Sequence, residues 1–174
     1  SDLFVDPIRG IPMLVIILYV GLPLAGAIKS ASSGYLDMAM MTRGIIAIAI
    51  GYSAYMAEIF RAGIEAVPKG QIEAARTLGL REWHIARLIV IPQAIAIVLP
   101  ALGNEFIAML KDTSLVSILS VRDLTQRMRE FQAQSFLAFE PFNSAALIYV
   151  VLTILAASGI KALDNIVNKS RGHD

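Results

Sequence analysis

The sequence predicts an all-α, polytopic membrane protein, and three observations carry that prediction. Of its 174 residues 56% are hydrophobic, with a mean hydropathy of +0.65, above the roughly 45–50% apolar content of soluble domains. Charged residues make up 17%, against about 25% in ordinary globular chains. Four apolar runs reach the ~17–25 residues that a helix rising about 1.5 Å per residue needs to cross a bilayer, the second and third at the short end. A soluble bundle would have to cover those runs with amphipathic helices, and a chain of this length has too few to spare.

In chain order, residues 1–10 carry Asp2, Asp6 and Arg9 and show no cleavable signal pattern. The first span is expected over about 11–28, with Pro12, Gly21, Pro23 and Gly26 inside it. The second, about 44–60, holds Tyr52, Ser53, Tyr55 and Glu58. A polar loop follows over 68–92. In it Pro68 suits a first helical turn, where its missing N–H is not needed. Helix is expected from about Gln71 to Leu78, stopped by Gly79, which takes positive φ without strain. Glu73 meets the positive end of that helix and Arg76 follows one turn later, while Ile72, Ala75 and Leu78 fall near one face. A second helix begins near Arg81 and Glu82, with Trp83 as an interfacial anchor beside His84, and is expected to end or kink at Pro92. The third span, about 94–110, is broken by Pro100. Leu115, Ile118, Val121, Leu124, Met128 and Phe131 are spaced as one face of a single amphipathic helix, on which Ser120 and Asp123 resemble a capping box. The fourth span is expected over about 142–163.

Several classes are excluded or weakened. Net charge is +1, so no nucleic-acid partner is expected. Cysteine is absent and His84 and His173 are far apart, so no metal site is expected. No nucleophile, base and orienter set is visible, so no catalytic residue is assigned and the chain is not expected to be an enzyme. With the 68–92 loop on the cytoplasmic side, nine Lys and Arg fall inside and six outside, a bias in the direction the positive-inside rule requires.

Glu73-Ala74-Ala75, then three residues, Gly79, nine residues, and Ile89-Val90-Ile91-Pro92 resemble the cytoplasmic coupling loop of the permease subunits of ATP-binding-cassette (ABC) importers, with Ile91 in place of the usual Leu. Further stretches are similar to the polar amino acid branch of that family: Tyr19–Pro23, Ala54–Gly63, Pro68–Gln71, Pro92–Ala94, Leu99–Phe106 and Leu110–Leu115. The resemblance covers nearly the whole chain and implies one transmembrane domain over 1–174 with the type I importer permease fold. Arg9-Gly10-Ile11-Pro12 resembles the opening of the family's second span, which implies a further N-terminal part.

The resemblance implies an ATP-driven importer of polar amino acids in the bacterial cytoplasmic (inner) membrane. Its implied partners are an ABC ATPase subunit, a second permease subunit in a homo- or heterodimer, an extracytoplasmic amino-acid-binding protein, and membrane lipid. Gln71, Glu73, Ala74, Ala75, Arg76, Leu78 and Gly79 would meet the ATPase. No phosphate-binding Gly-rich loop ending in Gly-Lys-Ser/Thr occurs here, so no cofactor is expected on this chain and ATP and Mg would sit on the ATPase. Ionisable groups at membrane depth are costly and usually face an interior or cavity. That makes Glu58, Glu105, Lys111 and Asp112, with Asn104, Thr113 and Ser114 as neutral companions, the candidates for the substrate path. Glu58 has a second reading as the partner of Arg61, and Lys111 and Asp112 as markers of the membrane boundary. The alternative function is an ATP-independent secondary transporter or channel.

Overall fold

A computed structural model describes residues 2–169; Arg171 and His173 lie outside the described residues. Its elements are helices: α1 (Asp2–Gly10), α2 (Met13–Ala31), α3 (Met40–Glu65), α4 (Lys69–Thr77), α5 (Glu82–Leu119), α6 (Leu124–Ser135) and α7 (Glu140–Lys169). Among the described residues four stretches are long and apolar enough to cross a membrane: α2, α3, α5 and Glu140–Asn165 of α7.

Prolines shape α2 and α5 without ending them. A proline inside a helix removes one hydrogen bond and presses its ring on the carbonyl four residues back. A wider π turn, Val20–Leu24, holds Pro23, and a second, Ala86–Val90, comes just before Pro92. The expected end or kink at Pro92 is thereby replaced by a local widening. Pro100 does not break its run either: α-helix continues from Ile91 to Asp112.

The chain divides into two units. The first comprises residues up to Tyr55 together with Ile107–Leu155. Its core is Ile16, Ile17, Val20, Ala47, Val116 and Leu119, all buried. The last two belong to a tight 3-10 turn, Thr113–Leu119, that closes α5. Gly21 allows that turn to come close, since a Cβ there would sit 2.6 Å from Leu119 Cδ1. The connection from α2 to α3 is tied by Arg43, whose guanidinium donates to the carbonyls of Met38 (2.8 Å) and Gly21 (3.1 Å) and to Asp37 Oδ1 (3.1 Å). Lys29 Nζ reaches Asp37 Oδ2 at 2.6 Å. That hydrogen bond holds the Asp37 carboxyl below its usual range.

The single amphipathic helix expected over 115–131 is two pieces. Ser120 takes φ +57°, which ends the 3-10 turn, and Asp123 begins α6 with its Oδ1 accepting from the Gln126 N–H at 2.8 Å. Ser120 is therefore not the first half of a capping box. The apolar spacing was real but a left-handed residue intervenes, and a left-handed residue cannot continue a right-handed helix.

The second unit comprises Met56–Phe106 and the chain from Ala156 onward. Its buried side chains include Val67, Ala75, Ile85, Ala94 and Val98. It contains α4 and the start of α5.

Candidate functional site

The loop between α3 and α5 is ordered by its own backbone. Pro68, at φ −58° and ψ 121°, stands just before α4, and its carbonyl accepts from Gln71 N at 3.1 Å. At the far end Gly79 N donates to Arg76 O (2.9 Å) and Leu80 N to Ala75 O (3.2 Å), with Gly79 at φ +74°. These paired bonds are a Schellman stop, which satisfies two of the carbonyls a helix end leaves open. The chain then extends through Arg81 and re-enters helix at Glu82.

Side chains clip α4 to α5 at two points. Arg76 Nε and Nη2 meet Glu82 Oε1 and Oε2 at 2.7 and 3.1 Å, a two-bond fork across the Gly79 turn. The hydrogen bond to Glu82 raises the affinity of the Arg76 guanidinium for its proton. Gln93 Nε2 donates to Gln71 Oε1 at 2.6 Å and to Ile89 O at 3.0 Å. Inside the clip Ala75 and Ile85 are buried and Ile72 is partly buried. Outside it Glu73, Ala74 and Thr77 are exposed. The expectation that Leu78 shares the face of Ile72 and Ala75 is corrected, because Leu78 is 81% exposed. It occupies the cap, at ψ 5°, where the helix has already ended and the turn swings its side chain outward. Leu78 and Trp83 thus project large apolar groups beside a small-residue surface.

The membrane-depth candidates fall in two places. Glu58, Asn104 and Glu105 belong to the second unit. Lys111, Asp112, Thr113 and Ser114 belong to the first. Glu58 pairs with Arg61 at 3.3 Å. Asn104 is exposed and Glu105 partly buried. Asp112 Oδ2 accepts from the hydroxyl of Tyr52 at 2.9 Å. Tyr52 is buried, lies 6.0 Å from Tyr55 ring to ring, and Tyr55 in turn stacks under Arg9 at 5.7 Å. Thr113 Oγ1 donates to Leu110 O at 2.7 Å and lines a groove of about 470 Å³ with Met40, Ile45, Val116 and Arg122. Lys111 is exposed and Ser114 partly buried.

Sequence reasoning missed Tyr52, Glu82 and Gln93 as partners of these residues. Tyr52 read as packing because an aromatic in a span ordinarily packs. Glu82 and Gln93 stand six and twenty-two residues from Arg76 and Gln71, outside the three- and four-residue spacings by which helix neighbours are recognised.

The chain is similar to known proteins along nearly its whole length. The family described as "Binding-protein-dependent transport system inner membrane component" matches residues 1–169. A probable glutamine ABC transporter permease of Bacillus subtilis, GlnM, is 37% identical over 96% of this chain and 74% of its own length. The glutamine transport system permease GlnP of Escherichia coli is 32% identical over 92% and 71%. The arginine ABC transporter permease ArtQ of Haemophilus influenzae is 31% identical over 92% and 73%. Among solved structures, an amino acid ABC transporter with histidines superposes with a TM-score of 0.84 at 40% identity, covering 94% of this chain and 73% of that one. The MetNI methionine ABC transporter, inward facing, superposes at 0.75 with 18% identity, a likeness of fold.

Proposed function

Since the chain belongs to the family of binding-protein-dependent transport system inner membrane components and is the permease of an ABC importer, we propose that its cargo is a polar amino acid and that the α4 loop is where ATP hydrolysis is felt. It is a multi-pass protein of the inner membrane. Permeases of this family work with an ATPase subunit and a substrate-binding protein. The single observation that carries the cargo reading is the 40% identity, at a TM-score of 0.84, to a solved amino acid transporter.

The α4 loop suits mechanical coupling because it is short, stopped at both ends and fixed to α5 by side chains as well as backbone. A push on Glu73, Ala74 or Leu78 therefore moves the start of a membrane-crossing helix rather than bending a flexible connection. ATP and Mg act on the ATPase, which docks on the exposed side of α4 around Gln71, Glu73, Ala74 and Leu78, with Ala75, Arg76 and Gly79 holding that side in shape. Two permease subunits enclose the path, which Glu58, Asn104, Glu105 and Lys111 to Ser114 help to line. ATP shifts the inward–outward equilibrium only by its different affinity for the two states.

The test is uptake of labelled amino acids by liposomes holding the full-length permease, its ATPase and a candidate binding protein. ATP-dependent uptake of glutamine, arginine or histidine, with sugars and peptides excluded, is the expected outcome. ATP-dependent uptake of only a sugar or peptide would overturn the cargo assignment.

A further inference from the structure

The connection between α6 and α7 carries a set of aromatic side chains that neither the coupling loop nor the path candidates explain. Phe136 is 92% exposed and Phe139 76% exposed, and Leu137 and Phe142 are exposed beside them. Phe136 closes α6 in the left-handed region, at φ +58°, its N–H donating to Gln132 O at 2.9 Å. A helix stop of this kind is cheapest with glycine or asparagine, whose side chains tolerate the conformation. A phenylalanine there both strains the backbone and leaves a large ring uncovered. Two unfavourable features on one residue point to a surrounding that takes up the ring.

The fold says which surrounding. Glu140 begins the next crossing stretch, Glu140–Asn165, only four residues after Phe136. The rings therefore stand at the depth where apolar chain gives way to water, the layer in which amphipathic and aromatic groups settle. No Lys or Arg occurs from Glu130 to Ile160. A surface that must capture and release a soluble protein in each cycle would draw on charge to steer it, and this segment has Glu130 and Glu140 as its only ionic groups.

We propose that Phe136–Phe142 is a membrane anchor: its aromatic side chains insert into the interfacial layer of the membrane beside the start of α7 and fix the depth at which α7 enters. The occupant is lipid rather than a protein partner.

The 174 residues contain no cysteine; with any cysteines elsewhere in the transporter replaced, single nitroxide labels are placed by Phe136→Cys, Phe139→Cys and, at an exposed position of α6, Gln134→Cys. The full transporter is reconstituted in nanodiscs of phosphatidylethanolamine and phosphatidylglycerol, and collisions with oxygen and with a water-soluble nickel chelate are compared. Labels at 136 and 139 should collide with oxygen several-fold more readily relative to nickel than the label at 134, with or without the binding protein. Equal ratios at all three positions would overturn the proposal. So would labels at 136 and 139 shielded from both reagents, either at once or once the binding protein is added, because protein would then cover the rings. Phe136→Gly keeps the left-handed turn and removes the ring. With it, nickel access at position 139 should rise several-fold, and an unchanged value would show that the ring does not set the depth.

Discussion

Gly79 holds φ +74° with open space around the position a Cβ would take. Gly79→Asp therefore costs little inside the protein: about 1 kcal/mol for a side chain in the left-handed region, and a few tenths more for a negative charge at a helix C-terminus. The carboxylate protrudes on the face assigned to the ATPase. The expected outcome is a folded, membrane-inserted permease whose ATP-driven uptake falls at least tenfold; uptake equal to the parent would remove α4 from coupling. Tyr52 and Asp112 form the other residue-scale test. Tyr52→Phe removes the hydroxyl that donates to Asp112 Oδ2 without changing the shape of the ring. Initial uptake rates across cargo concentrations should show Asp112→Asn and Tyr52→Phe raising KM in the same direction, and the double variant no worse than the more severe single one. A normal KM in Asp112→Asn would take Asp112 out of the path. A normal KM in Tyr52→Phe alone would leave the path assignment standing and remove the orienting role of the tyrosine.

At the scale of elements, α4 depends on its contacts with α5 for orientation. The Arg76–Glu82 fork is too exposed to contribute much to stability, and its consequence is the direction α4 faces. Arg76→Glu should weaken retention of the ATPase during purification, and adding Glu82→Arg should restore it by re-forming the pair in reverse. Restoration failing, with both variants folded, would mean that Arg76 contacts the ATPase directly. For α6 the controlling residue is its N-cap. Asp123→Ala removes the acceptor for Gln126 N–H and should lower stability by about 1 kcal/mol, read as a lower unfolding temperature in detergent. Asp123→Asn, which keeps an acceptor, should lose much less.

For the molecule as a whole, the described residues hold four helices able to cross a membrane, with a polar loop between the second and third. The membrane character, the helices and the Glu73 to Pro92 pattern were legible because each is local: a composition, an apolar run, or a turn whose residues are neighbours in sequence. The helix stop at Gly79 was readable for the same reason, since only a few residue types tolerate its backbone. The Ser120 break was not, because the apolar spacing runs straight across it and a serine at positive φ announces itself by no residue type.

By itself, then, the sequence determined that this is an α-helical membrane protein, where a short helix stops between two crossing helices, and which family the chain belongs to. Burial in lipid and backbone hydrogen bonding act on every few residues and leave their record in short stretches. Only the tertiary structure decided which side chain answers which. Tyr52 reaches Asp112 across sixty residues, Arg43 reaches the Gly21 carbonyl across twenty-two, and Gln93 reaches Gln71 across the same interval. Such pairs depend on how helices pack, and packing is set by the shapes of all the side chains between them rather than by the spacing of any two.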